Sequence, residues 1–291
     1  MSKYIGLLLL SGLLCCSACK KEALPAATAD TPDPYARKDD PSSASDHAIF
    51  LFYQQTGIPV LYSDTVSTNP MTTLNIGYHL TTYDSLITVR YLHEDNAVLA
   101  GVNFIQTQIY PSLGGSLRPF TFLLADSLYT FTPAYLGHQQ INVNVYQGLK
   151  TLAIGRVAQL DTMSADSLKT YKRDIFKSIL LTPLSQQSAS LADFYAVSAD
   201  YYGKYAYGDG TIPGYIAYAP KGTYGLLVDG TEYSNYYSTE DEATDLSNYL
   251  GQALVMSADE FNTEYSAYPL VLKKYTLLIK ALTTLQFKMP Y

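Results

Sequence analysis

The residues able to do chemistry in this chain are few and widely spaced. All three cysteines, Cys15, Cys16 and Cys19, lie close to the N-terminus, so the rest of the chain offers no thiolate as nucleophile or zinc ligand. The histidines contain no His-x-x-x-His pair. They are His47, His79, His93 and His138. Neither a Gly-x-Ser-x-Gly turn nor a phosphate loop nor a dinucleotide fingerprint occurs, so no local motif predicts a reaction.

Two acidic clusters have both a chemical and a structural interpretation. Glu240-Asp241-Glu242 with Asp245 could supply a pair of carboxylates for glycoside hydrolysis. The same residues are typical of a helix start, where carboxylates interact favourably with the helix dipole. His93-Glu94-Asp95 offers the same choice between a metal site and a helix start. We favour the structural interpretation of both clusters, and a metal site assembled from distant residues stays an alternative.

The N-terminal segment predicts export and lipidation. Lys3 precedes an apolar run from Ile5 to Cys16, and Ser17-Ala18-Cys19 then gives small residues before a cysteine. This is the pattern of a secretory signal that ends in a bacterial lipobox. The apolar run is shorter than the roughly 20 residues that cross a bilayer as a helix. We therefore expect Cys19 to be the lipidated first residue, which anchors the protein in the outer membrane, on its periplasmic face or at the cell surface.

The chain divides into a signal, a tether and one domain. Residues 1–18 are the predicted lipoprotein signal peptide. Residues 19–45 comprise the lipidated cysteine and a tether rich in Ala, Pro, Ser and Asp, which lacks the apolar residues needed to offset its ordering entropy. Residues 46–291 are expected to form a single domain, since no second linker interrupts them.

Composition excludes some partners. The formal net charge is −7 and no basic cluster is present, which argues against binding to nucleic acid or electrostatic adhesion to anionic lipid. The apolar residues, 47% of the chain, are enough to bury a core without disulfide bonds.

Hydrophobic periodicity predicts an α+β fold. The first half mixes elements: Asp46 is expected to cap a short helix, and Leu74 to Leu80 alternate as a half-buried strand. A second helix is expected between Asn96 and Pro111, and three further strands are predicted at Phe120 to Leu124, Ile141 to Tyr146 and Thr151 to Val157. The second half carries helical apolar stripes. A helix that begins at Ser164 is expected to end near Pro183, Ser257 and Glu260 have the spacing of a capping box, and Pro269 suits the first turn of the last helix. We expect a small mixed or antiparallel sheet followed by a mainly helical half.

A tyrosine-rich stretch is where we expect any binding surface to lie, although we expect most of its rings to pack against the helices. Eleven of the 28 tyrosines lie between Tyr195 and Tyr237, interleaved with glycines. Rigid rings on such loops can stack on sugars or form a protein interface, or they can simply pack the core. The candidates for a binding groove are Tyr201, Tyr202, Tyr205, Tyr207, Tyr215 and Tyr218.

Several segments together resemble a known family. Phe194–Tyr202 resembles its Phe-x-x-(Ile/Val)-Ser-x-x-x-Tyr segment, and Gly214–Ala219 resembles its Gly-(Phe/Tyr)-(Ile/Val)-x-x-Tyr-Ala stretch. Glu240–Thr244 matches a Glu-Asp-Phe-Ala-Glu helix except at Glu242 and Thr244. With the lipobox and tether, these segments resemble the zinc-binding metallopeptidase lipoproteins of Bacteroidota, also described as substrate-import-associated zinc metallohydrolases.

The resemblance implies a zincin-like scaffold without its catalyst. Where the family has His-Glu-Phe-x-His, this chain places Lys177 and Leu181 for the two ligand histidines and Ser178 for the catalytic glutamate. An ammonium repels zinc, and leucine has no donor atom. The interpretation therefore leans against an enzyme, with no catalytic or metal residue and no cofactor, unless other residues rebuild a zinc site.

Three functions remain as hypotheses. The first is a non-catalytic, metallopeptidase-like outer-membrane lipoprotein that binds a peptide or glycan or assists a nutrient-import complex. The second is an active zinc metallopeptidase with unrecognised ligands. The third is a structural envelope lipoprotein that only contacts other envelope proteins.

Overall fold

The computed structural model describes residues 33–76, 87–134, 137–186, 188–227 and 236–290. Cys19 and the predicted signal lie outside the described residues, as do His79 and most of the strand expected near Leu74 to Leu80. Arg37–Tyr291 forms one compact unit. Two residues of the predicted tether contact the domain: Arg37 donates to the carbonyl of Val66 at 2.8 Å, and the carboxylate of Asp39 lies 2.7 Å from Nδ1 of His47.

The first half contains two helices and most of the sheet. Helix α1 is Ala44–Thr56, and Ser43 rather than the predicted Asp46 caps it, because Ser43 accepts the Asp46 N–H. The elements that follow are β1 Val60–Leu61, β2 Thr65–Thr68, β3 Met71–Thr73, β4 Ile87–Tyr91, α2 Asp95–Phe104, β5 Thr121–Ala134, β6 Gly137–Val143, β7 Val145–Gln147 and β8 Thr151–Ile154.

Strand β5 organises the main sheet. Its first part pairs in parallel with β1 and β8, and its later part pairs antiparallel with β4 and β6. Strand β7 adds to β8 in the antiparallel direction, and β2 pairs with β3 separately. Leu152, Ala153 and Ile154 of β8 are completely buried, as expected for a strand covered on both faces.

The second half is mainly helical. Its elements are α3 Ala165–Gln186, α4 Ser188–Ala196, β9 Tyr205–Tyr207, β10 Tyr215–Ile216, β11 Tyr236–Ser238, α5 Glu242–Ala253, α6 Ala258–Glu264 and α7 Pro269–Thr284. The capping box at Ser257 and Glu260 is present, and Pro269 opens α7. Helix α3 continues past Pro183, where the sequence predicted its end. The fold is α+β, as predicted, and one core joins the sheet to the helices.

Candidate functional site

The predicted binding stretch forms a small three-stranded sheet. Strand β9 lies in the middle, parallel to β10 and antiparallel to β11. Because side chains alternate across a strand, Tyr205 and Tyr207 point to one face while Ala206 between them is completely buried. The register places Tyr215 beside Tyr205 and Tyr236 beside Tyr207. One face of this sheet is therefore almost entirely tyrosine.

These rings stay exposed and enclose a shallow concavity of about 320 Å³. The exposed fractions are 57% for Tyr205, 45% for Tyr207, 42% for Tyr215 and 52% for Tyr236, and Ile212 beside them is 45% exposed. We call these five residues the tyrosine patch. The ring of Tyr215 lies 6.1 Å from that of Tyr205 and 6.3 Å from that of Tyr207, so the patch is continuous.

The opposite face holds the patch in place. Ala206 packs with Tyr224, Leu226 and Tyr237 in a small core of its own. The Tyr224 hydroxyl donates to the carbonyl of Ala217, and the Tyr237 hydroxyl donates to the carbonyl of Ala219 at 2.5 Å. Both bonds fix the chain that follows β10. The patch is thus presented by a braced backbone, which lowers the entropic cost of binding.

The structure brings together only some of the six predicted groove residues. Tyr205, Tyr207 and Tyr215 belong to the tyrosine patch, whereas Tyr218 is exposed beside the ring of Tyr237, 5.8 Å away. Tyr201 packs its ring on Tyr224, with centroids 4.6 Å apart. Tyr202 turns its hydroxyl into the interior and is described below with the buried ion pairs.

Two residues of the tyrosine patch, Ile212 and Tyr236, carry no clear signal in the sequence. Ile212 is not aromatic, and Tyr236 reaches the sheet from the far side of a long connection. The Tyr-Tyr-Ser alternation of β11 is only three residues long, too short to give a periodic signal.

A buried ion pair joins α5 and α7 in the interior of the second half. Nζ of Lys274 on α7 lies 2.5 Å from Oδ2 of Asp245 on α5, and both side chains are completely buried. The Tyr202 hydroxyl also donates to Oδ2, at 2.6 Å. Lys274 Nζ donates to Ser198 Oγ at 3.0 Å, and Ser198 in turn donates to the carbonyl of Tyr224 at 2.8 Å. This network connects α7 and α5 to the residue that braces the tyrosine patch.

Aromatic faces complete the environment of the lysine. Nζ of Lys274 lies 4.4 Å from the ring centre of Phe194 and 4.9 Å from that of Tyr249, which stabilises the cation. Burial nevertheless lowers the pKa of Lys274, an effect that Asp245 opposes. Burial raises the pKa of Asp245 to about 6, against the opposing effect of Lys274.

A second buried pair extends the cluster. Nζ of Lys221 lies 3.6 Å from Oε2 of Glu240, and both side chains are almost fully buried. In the described part of the chain, Oε1 of Glu240 and Oδ1 of Asp245 accept no hydrogen bond. A serine next to a lysine can act as a nucleophile with its general base, but Ser198 and Lys274 are both completely buried and no substrate can reach them. The cluster is therefore an internal structural element.

Asp241 and Glu242 of the acidic run take the structural interpretation of a helix start, whereas Glu240 is buried in the ion pair with Lys221. Asp241 caps α5 by accepting the N–H of Thr244 at 2.7 Å, and Glu242 lies in the first turn. The other acidic cluster behaves similarly, since Asp95 lies in the first turn of α2 and accepts the Ser45 hydroxyl. Within the described ranges, no group of three or more His, Cys, Asp or Glu residues is placed to hold a metal ion.

Lys177, Ser178 and Leu181, which the resemblance aligns with the zinc motif, all lie on α3. Lys177 is half-buried and carries an ammonium, which repels a metal cation. Leu181 packs against the main core and has no donor atom, and Ser178 is half-buried on the same helix. No donor set for zinc exists among these side chains.

Comparisons with protein-family models, curated proteins and solved structures found no match to this chain. Among the described helices, none has the length and apolar composition required to cross a bilayer. The case for a function therefore depends on the geometry of the tyrosine patch and on the sequence patterns above.

Proposed function

We propose that this protein is a lipid-anchored envelope protein that binds a glycan through the tyrosine patch. The observation that carries the proposal is the exposure of four tyrosines on one face of β9, β10 and β11. Together with Ile212 they make an apolar surface of a kind that marks interaction sites on soluble domains.

The chemistry of the patch suits a sugar. Aromatic rings provide flat apolar faces on which the C–H faces of a pyranose ring can stack, and phenol hydroxyls at their edges can exchange hydrogen bonds with sugar hydroxyls. The concavity of about 320 Å³ lies at the lower end of the range for small-ligand pockets, so it suits one or two sugar rings of a longer chain. Among the described residues that line it, none is charged, which favours a neutral glycan.

Anchoring and the resemblance complete the proposal. A lipidated Cys19 would hold the domain at the outer membrane, where glycan capture can serve a nutrient-import complex. Lys177, Ser178 and Leu181 support a binding role without hydrolysis, since they replace the ligands and general base of the related metallopeptidases.

Alanine substitution in the patch tests the proposal. The full-length chain in detergent is run by affinity electrophoresis through gels that contain neutral soluble polysaccharides. Tyr215→Ala, which removes the central ring, should weaken the retarding interaction about 30-fold, since truncating an aromatic hot spot costs about 2 kcal/mol. Phe120→Ala removes an exposed ring outside the patch and should leave retardation unchanged. Equal retardation of both variants would refute the assignment of the patch.

A further inference from the structure

A polar pocket of about 410 Å³ lies between α3 and α5, outside the tyrosine patch. Arg173 and Lys177 are one turn apart on α3, so they share a face of that helix. Asn248 and Gln252 are one turn apart on α5 and face them across the pocket. Ser247 and Gly251 complete the α5 side.

Lys177 is the charged centre of this pocket. A Cβ built on Gly251 would lie 4.0 Å from Nζ of Lys177, so the ammonium rests against the backbone of α5 where no side chain intervenes. Among the described residues, no carboxylate oxygen lies within 4.0 Å of Nζ of Lys177. Burial, and then the neighbouring Arg173, lower the pKa of Lys177, while Asp174 raises it.

Arg173 is already neutralised, in contrast to Lys177. Nη2 of Arg173 lies 2.7 Å from Oδ1 of Asp174, and the other oxygen of that carboxylate accepts Asn144 Nδ2 at 2.7 Å. The carboxylate of Asp174 is thus held between Arg173 and Asn144, the residue that joins β6 to β7. Among the described residues, Lys177 thus has no carboxylate in ion-pair contact, and amide and hydroxyl groups that can donate or accept hydrogen bonds flank it.

We propose that this pocket binds a small organic carboxylate, with Lys177 as its counter-ion and with Asn248 and Gln252 hydrogen-bonding its polar groups. A partly desolvated ammonium favours an anion because burial has removed water without supplying a partner charge. The volume exceeds that of a bare inorganic anion and is sufficient for a hydroxy acid or a single acidic sugar.

The test uses the pocket's own amides as reporters. The ¹⁵N-labelled full-length chain is titrated with sodium galacturonate, and the side-chain NH₂ signals of Asn248 and Gln252 are followed by NMR. We expect saturable shifts with galacturonate and none with an equal concentration of neutral galactose. Lys177→Gln should weaken binding at least tenfold, and Lys177→Arg should retain it.

Lys169→Gln is the matched control, because it removes one exposed positive charge from the same helix. It should bind galacturonate as the unaltered chain does. The proposal is overturned if galactose produces the same shifts, if Lys177→Gln binds as tightly as Lys169→Gln, or if neither amide responds up to the solubility limit. Because the reporters lie in this pocket, each outcome is independent of whether the tyrosine patch binds a glycan.

Discussion

At the scale of single residues, Lys274 and Asp245 form a fully buried ion pair that links α7 to α5. Removal of either side chain leaves an uncompensated buried charge, so each partner requires the other. Tyr202, Ser198 and two aromatic faces satisfy the remaining donors of the lysine. The ion pair and its hydrogen bonds thereby fix the position of α7 against α5.

A double-mutant cycle measures this coupling. Asp245→Asn and Lys274→Met should each lower the free energy of unfolding by about 3–5 kcal/mol, because each leaves one buried group without its partner. The double variant should lose clearly less than the sum of the two single losses. Urea unfolding followed by circular dichroism gives the four values, and additive losses would show that the ion pair is not coupled.

The raised pKa of Asp245 predicts a pH dependence of known sign. Since its pKa is raised from 3.8 to about 6 by burial, the folded state holds a proton that the unfolded state has released between these values. The contribution of this carboxyl to stability is therefore full below pH 3.8 and is lost as the pH rises through 6.

Carboxyl ¹³C NMR checks this pKa directly, with Asp245→Asn to assign the signal. One aspartate carboxyl should titrate near pH 6, well above exposed ones such as Asp40 and Asp241, whose pKa values hydrogen bonds lower. Titration of Asp245 below pH 4 would contradict the account of its burial.

At the scale of elements, the turn between β9 and β10 decides whether the tyrosine patch forms. Gly210 has φ +76°, and a Cβ there would lie 2.6 Å from the backbone nitrogen of Ala217. Both the left-handed conformation and the close approach require glycine. The turn therefore sets the distance between Tyr205 and Tyr215 across the two strands.

Gly210→Ala should lower the free energy of unfolding by about 1–3 kcal/mol and weaken binding at the patch, because the turn must shift to admit the methyl group. Gly115→Ala is the control, since nothing lies within 4 Å of its Cβ position. Thermal unfolding and affinity electrophoresis compare the two variants. A Gly210→Ala chain as stable as the control, with unchanged binding, would show that the turn does not position the rings.

At the scale of the whole molecule, features set by neighbouring residues could be predicted from the sequence, whereas contacts between distant residues could not. The capping box at Ser257 and the first-turn Pro269 depend only on neighbouring residues, and both are found where predicted. The prediction that α3 ends near Pro183 was wrong, because core contacts on either side of Pro183 allow the helix to continue. The contact between Arg37 of the predicted tether and Val66 joins residues 29 positions apart, so no local pattern indicates it.

The candidate site shows the same division. The exposed rings lie in the stretch that the sequence indicated, but sequence reasoning could not separate Tyr201 and Tyr202 from Tyr205 and Tyr207. Tyr201 and Tyr202 precede β9 and are drawn inward by long-range contacts, with the ring of Tyr224 and the carboxylate of Asp245 respectively. Lys274 gave no signal at all, because a lysine within a helix is normally solvent-exposed.

The most direct test of the central claim is a screen of the full-length chain in parallel on arrays of neutral glycans and of peptides. The account predicts that a glycan is bound and that binding is lost in the Tyr205→Ala/Tyr215→Ala double variant while Phe120→Ala retains it. Binding of peptides alone, or of a glycan that the double variant binds equally well, would contradict the assignment of the tyrosine patch as a glycan site.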